Sequence, residues 1–282
     1  MSRLGSVGKL LRRWFTSIPF FVLLSLVLGS FIAGWLIPKP VIATIAISGV
    51  ISDETYVGQI VDNLRNARDD STVRAVVVQI DSPGGGASVS EQIYLDLLRV
   101  RQVKPVVVSI GSMAASGGYY AAMGSNYIYA EPTSQIGSIG AWVRLPSPEE
   151  VGETIATTGP FKATGGTKRR TIEHLELLRQ AFVEAVMSQR GERLRLSAEE
   201  LSRAEIYLGI ESLRYGLIDA IGTKSDALQK AASLAGLKSY GIRELYVTRP
   251  GSSFFFSTAD VAALKSQASP VPMYYYLYFE AR

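Results

Sequence analysis

The sequence has no cysteine and a single histidine, His174, among its 282 residues. Lack of Cys excludes a thiol nucleophile, disulfides and thiolate metal sites, and the composition carries no mark of a redox compartment. With one His, a Ser-His mechanism has only His174 to use, and a structural zinc site lacks ligands. No metal and no cofactor are expected. Excess charge is scarce too: 29 Lys and Arg against 25 Asp and Glu leave a formal net charge of +4. So small a surplus, with several cations near the N-terminus, gives no footprint for nucleic acid. Internal repeats and low-complexity tracts are absent. What is present is apolar: 47% of the residues are hydrophobic and 19% charged. That composition places the chain among folded globular proteins with one main domain.

One long hydrophobic run stands out. Trp14 to Ile37 carries no charged side chain, and a membrane-spanning helix needs about 20 apolar residues. The hydrophobic part of a cleaved signal peptide is shorter, about 7–15 residues, and ends at a small-x-small site; here the run continues to Trp35-Leu36-Ile37. The reading is an uncleaved, single-pass anchor. Arg3, Lys9, Arg12 and Arg13 precede it and only Lys39 follows closely. The positive-inside rule then leaves residues 1–13 in the cytoplasm, puts 14–37 across the cell membrane, and directs the rest to the non-cytoplasmic side. The main domain is expected over 41–248 and an aromatic-rich tail, with Phe254-Phe255-Phe256 and Tyr274 to Phe279, over 249–282.

Within the main domain the hydrophobic period alternates. Val41 to Ser48 is rich in β-branched residues, as a buried strand is. Val57, Ile60, Val61 and Leu64 share one face of a helix, and Val73 to Ile80 returns to strand. Ser88 to Val100 reads as helix, Pro105 to Ile110 as strand, Ala114 to Met123 as helix and Tyr127 to Ala130 as strand, with later helices at 172–189, 198–202 and 225–234. Strand and helix in turn predict an α/β fold with a parallel sheet. Ligands usually bind at the carboxyl ends of such strands. Two glycine-bearing segments fall there: Asp81-Ser-Pro-Gly-Gly-Gly86 and Gly111-Ser-Met-Ala-Ala-Ser-Gly-Gly-Tyr-Tyr120.

Ser116 lies between Ala115 and Gly117 on a sharp strand-to-helix turn, which displays a nucleophile. The competing use is as a helix cap, by Ser112 or Ser116. The Gly84–Gly86 loop allows backbone N–H groups to approach an oxyanion closely. A phosphate loop is the other use of such glycines, but no Gly-Lys-Ser/Thr follows. Asp81 is expected to satisfy backbone donors in a tight turn. A serine still needs a base. His174, at the start of a charged amphipathic helix, reads as a solvated surface residue, which leaves lysine, a known partner of serine.

The two glycine segments resemble the nucleophile segment and oxyanion loop of signal peptide peptidase A. The similarity runs from about Ile42 to Leu237 and includes Gly137-Ser-Ile-Gly140, 204–209 and 215–222; Met273-Tyr274-Tyr275 resembles the family's ending. The resemblance implies a fold like that of Clp protease and the crotonases, a ββα-type spiral, behind one transmembrane helix. It implies a serine peptidase with a Ser-Lys dyad: Ser116 as nucleophile, the N–H groups of Gly85 and Gly117 as oxyanion hole, and Ser138 orienting the lysine. Gly159-Pro-Phe-Lys162 fits the family's lysine motif, whereas 163–170 lacks the Asp and Pro that follow it there, and the connection from Ser138 is short. That departure makes Lys168 a rival, and Lys162 is preferred because an uncharged local setting can desolvate its amine. Lys168 adjoins Arg169 and Arg170, as a wet basic turn would. Peptides released at the membrane, such as signal-peptide remnants, are the implied substrates, and a homo-oligomeric ring with shared sites the implied assembly. The alternatives are a catalytically inactive membrane scaffold and a crotonase-type CoA enzyme, the latter disfavoured because export would separate it from cytoplasmic CoA.

Overall fold

The computed structural model describes residues 18–36, 38–144, 158–159, 161–162, 165–248 and 274–277. It divides into two units, residues 1–39 and 40–282. In the first, helix α1 (Ile18–Leu36) holds neither an acidic residue in its first turn nor a basic one in its last. Its described side chains run from Pro19 to Phe31, and Phe21, Leu26 and Phe31 are exposed. Among the described residues no helix is long and apolar enough to cross a membrane. Residues 1–17 and Ile37, which hold both ends of the expected span, lie outside the described residues.

The second unit is a mixed α/β layer structure. Its elements are β1 (Val41–Ser48), α2 (Glu54–Asp69), β2 (Val73–Ser82), β3 (Gly84–Gly86), α3 (Ala87–Arg101), β4 (Val106–Ala115), α4 (Gly117–Ala122), β5 (Tyr127–Ala130), β6 (Gln135–Gly137) and β7 (Trp142–Val143). There follow α5 (Lys168–Arg190), α6 (Ala198–Leu201), β8 (Ile206–Leu208), α7 (Gly209–Arg214), β9 (Ala220–Ile221), α8 (Lys224–Leu234), β10 (Gly241–Leu245) and β11 (Tyr274–Leu277). The main sheet has the order β10-β1-β2-β4-β5-β9, with β6 beside β4 and β8 beside β6. Every pair along that path is parallel. A second sheet has the order β3-β11-β7.

Burial of both faces follows from the two-residue period of a strand. On β2, Val76, Val78 and Ile80 join a core with Ile60 and Leu64 of α2, Ile93 and Leu97 of α3, and Phe182 and Val186 of α5. Ala75 and Val77 turn to the opposite face, against Ala227, Leu228, Ala231 and Ala232 of α8. Helices thus cover the sheet on both sides, as the alternating pattern predicts. One boundary differs. The sequence pattern ends a strand at Ile110 and starts a helix at Ala114, but β4 continues to Ala115 and α4 begins at Gly117. Pairing supplies the reason: Met113, Ala114 and Ala115 lie in parallel register with Gln135, Ile136 and Gly137 of β6. Those ladder bonds outweigh the helical preference of two alanines.

A buried ion pair ties α5 to the far edge of the sheet. Arg190 and Asp219, with side chains 3% and 5% exposed, meet at 2.9 Å. Arg190 also donates to the Gly216 carbonyl, and Asp219 accepts from the Ile128 N–H. Nearby, the buried Tyr119 hydroxyl donates to the Leu217 carbonyl at 2.7 Å, and burial pushes the Tyr119 phenol well above its ordinary pKa. Removing one member of such a pair strands the other charge in the interior. Asp219→Ala is therefore expected to cost about 3–5 kcal/mol, measured by urea denaturation, because Arg190 and the Ile128 N–H both lose their partner.

Candidate active site

The ends of β2 and β4 meet where a parallel sheet presents its ligand sites. Ser116 follows the last residue of β4 and precedes α4, with φ 52° and ψ −121°. For a serine this left-handed φ is strained, at roughly 1–3 kcal/mol. The backbone holds it from both sides: its N–H donates to the Gly137 carbonyl at 2.8 Å, and its carbonyl accepts from the Tyr120 N–H at 2.8 Å. Its hydroxyl makes no capping bond to α4, so the capping role does not account for it. Nor does Ser112 cap the helix; its hydroxyl donates to the Asp81 carboxylate. Asp81 departs from expectation here, because this side chain, not a set of backbone donors, holds its carboxylate.

The glycine loop faces this turn. Gly118 lies so close to the end of β2 that an added Cβ would sit 2.8 Å from the Ser82 carbonyl oxygen. Gly85 is tighter still, its Cβ position being 1.9 Å from the Ile51 carbonyl oxygen. Ile51 donates to the Gly84 carbonyl and accepts from the Gly86 N–H, each at 2.8 Å. Since successive residues of an extended chain direct their polar groups to opposite sides, the Gly85 N–H turns away from Ile51. It turns toward β11, which pairs antiparallel with β3, Tyr276 opposite Gly85. On its other side β11 pairs antiparallel with β7, Tyr275 opposite Trp142. An extended segment of the chain thus forms the middle strand between β3 and β7. From the sequence the aromatic tail, which resembles the family's ending, is expected to supply apolar contact area or to lie near the groove; its strand register is not legible there.

The structure brings Ser116, Gly117 and Gly85 to neighbouring strand ends and sets Ser138 beside them through Gly137. Ser138 is half-buried, with φ 51°, and its N–H donates to the Glu205 carbonyl at 2.9 Å. Among the described residues no hydrogen bond joins Lys162 or Lys168 to Ser116 or Ser138. Lys162 is exposed on a turn in which its N–H donates to the Gly159 carbonyl at 3.1 Å. Among the described residues its side chain makes no hydrogen bond or ion pair. Lys168 is exposed at the start of α5, and His174 is exposed further along that helix. Among the described residues no group of His, Cys, Asp and Glu could hold a metal ion.

Comparison with known proteins agrees in one direction. Residues 99–238 match the model of peptidase family S49. Protease 4 of Salmonella typhi is 33% identical over 206 residues, covering 68% of this chain and 32% of its own length; the chain spans about a third of that relative. A putative protease of Synechocystis is 32% identical over 209 residues, covering 70% of this chain and 75% of its own length. Among solved structures, a mutant of the membrane-bound stomatin-specific protease 1510-N superposes with a TM-score of 0.51 at 20% identity, over 75% of this chain and 100% of that one. The last comparison establishes a shared fold.

The glycine packing makes its own prediction. Gly118→Ala must push α4 away from the Ser82 carbonyl, which is backbone and cannot swing aside. Overpacking of this kind costs about 1–3 kcal/mol, to be read as a lowered urea midpoint.

Proposed function

Because the chain belongs to peptidase family S49, the signal peptide peptidase A family, we propose that it hydrolyses peptide bonds with Ser116 as the nucleophile. The observation that carries the reading is the Ser116 turn: a strained serine whose hydroxyl caps nothing, beside a glycine strand whose outer edge pairs with an extended segment. A peptide laid on β3 as β11 is laid would gain main-chain hydrogen bonds, the usual way a sheet edge holds an extended ligand. In the reaction, the Ser116 hydroxyl oxygen attacks the scissile carbonyl carbon while a lysine amine takes its proton. The N–H groups of Gly85 and Gly117 donate to the oxyanion that forms. Collapse expels the amine, which receives the proton from the lysine, and water attacks the acyl-serine in a second round.

Lys162 is the proposed base, with Ser138 directing it; its place in Gly159-Pro-Phe-Lys162 supports this over Lys168. A lysine can accept a proton only when its surroundings disfavour the ammonium, and neither lysine is buried within one chain. That exposure supports a site completed by a second copy, in a ring with serine and lysine drawn from neighbouring subunits. Membrane anchoring through residues 14–37, with the catalytic unit outside the cytoplasm, makes peptides released at the membrane, signal-peptide remnants included, the proposed substrates. The exposed apolar side chains of α1 support the anchor. The same lysine exposure, together with the altered stretch 163–170, favours one second reading, an inactive scaffold of this fold. A fluorophosphonate that labels Ser116 supports the peptidase, and unlabelled folded protein supports the scaffold.

Two outcomes are expected. Ser116→Ala abolishes hydrolysis of a casein substrate with the melting temperature held, and Lys162→Ala is comparably damaging, since members of one catalytic unit are each nearly indispensable; if Lys168→Ala alone were inactive, the base would move there. When folded Ser116→Ala and Lys162→Ala proteins are mixed under verified subunit exchange, activity returns at interfaces that receive both intact residues. Mixtures that stay inactive would mean that each chain builds its own site.

A further inference from the structure

Ser82 has no part in the chemistry just described, yet it lies between the glycine loop and the start of α4. It ends β2 and is fully buried, at 0% exposure. Its hydroxyl donates to the Gly49 carbonyl at 2.7 Å and accepts from the Gly84 N–H at 3.1 Å. The first bond reaches the connection after β1; the second closes a side-chain turn onto the residue two ahead, a habit of serine in tight loops. Pro83 between them has a fixed φ and no N–H to offer. Gly84, at φ 100°, bends the chain so that its carbonyl accepts from the Ile51 N–H. On the opposite side Ser82 abuts α4: the position of a Cβ on Gly118 is 2.8 Å from the Ser82 carbonyl oxygen, 3.2 Å from its Cβ and 3.4 Å from its Oγ. In the sheet register Ser82 stands opposite Ala114, two residues before Ser116.

We infer that Ser82 is a positioning residue of the active site, whose hydroxyl sets the Gly84–Gly86 strand at a fixed distance from the Ser116–Gly117 turn. The inference rests on the peptidase reading of that turn. The two proposed oxyanion donors, the Gly85 and Gly117 N–H groups, lie on separate segments. They can converge on one oxygen only if something fixed stands between the segments, and Ser82 accepts from Gly84 in one and abuts Gly118, next to Gly117, in the other. Removing its hydroxyl leaves the buried Gly84 N–H and the half-buried Gly49 carbonyl without that partner, and the loop is then free to relax away from the geometry a transition state requires. Substrate held mainly along the strand edge is affected less. The effect therefore falls on kcat and not on KM.

The test compares the unmodified full-length protein with Ser82→Ala and Ser82→Cys on a quenched-fluorescence peptide that the unmodified protein cuts. A boronic acid analogue of the same peptide is bound in parallel. Its tetrahedral adduct with the serine oxygen presents an oxygen to the oxyanion donors. Ser82→Ala is expected to lower kcat at least about tenfold with KM changed by less than about twofold, the pattern of a lost transition-state interaction. Boronate affinity should fall by the same factor as kcat/KM. Ser82→Cys, a weaker donor and acceptor in nearly the same volume, should lie between the two. Unchanged kcat in either folded variant overturns the inference. So does a loss of kcat and boronate affinity that merely follows the folded fraction in the melting curve. If Ser82→Ala does not fold, Ser82→Cys decides by the same two readings. An unmodified protein that cuts no peptide and is not labelled at Ser116 overturns the peptidase reading and this inference together, an outcome distinct from an active protein indifferent to position 82.

Discussion

The hydrogen bond from the Ser116 N–H to the Gly137 carbonyl, at 2.8 Å, is the constraint on which the site depends. It closes a register in which β4 is drawn out beyond its hydrophobic run to pair with β6, and the chain must then turn into α4 within one residue. Ser116 makes that turn at a left-handed φ of 52°. The strain is held by what lies behind β6: Gly137 at φ 123° has the Glu205 carbonyl 2.4 Å from its Cβ position, and β8 closes the far side of β6 in antiparallel pairing. Neighbouring Ser138 and Ala204 also take positive φ. Three non-glycine residues in that region within a few strands of one another show a local geometry imposed by pairing, since none of the three prefers it alone.

Close approach of backbones gives the site its second property. At Gly85 and Gly118 the space of a side chain is filled by the carbonyls of Ile51 and Ser82. Glycine is used at these two points because main chain must pack against main chain, with no room for a Cβ; on the proposed mechanism the Gly85 N–H serves as a donor once a substrate strand takes the place of β11. The aromatic support is more ordinary: Tyr120 lies between Tyr94 and Phe182, at centroid distances of 4.9 and 4.8 Å, and so docks the first turn after Ser116 onto α3 and α5. Such ring pairs add about 0.5–1.5 kcal/mol beyond burial.

Much of this was legible in the sequence. The β-branched runs at 41–48 and 73–80 and the helical face of Val57, Ile60, Val61 and Leu64 carry their own period, because one burial pattern dominates each. The two glycine segments were legible as loops at strand ends. What escaped is non-local. Ala114 and Ala115 favour helix by propensity and became strand through β6, a partner about twenty residues on. Ser82 looked like part of a turn, and its contacts with Gly49 and Gly118 required the sheet register to be known. The tail strand 274–277 has its partners about 130 and 190 residues earlier in the chain, and no periodicity reports a pairing of that range.

The placement of the proposed base bears on how such a protein would be kept in check. Ser116 is buried, at 1% exposure, and its turn is fully formed in one chain. Lys162 is exposed and lies in a turn set by the Lys162 and Gly165 N–H groups, which donate to the Gly159 and Phe161 carbonyls at 3.1 and 2.8 Å. Beside it, Phe161 is 50% exposed, an apolar ring with water on one side. Covering that ring against another surface would be favoured by its area alone, and the same movement would take the neighbouring amine out of water. On the proposed mechanism, apolar contact and creation of a base are then one event.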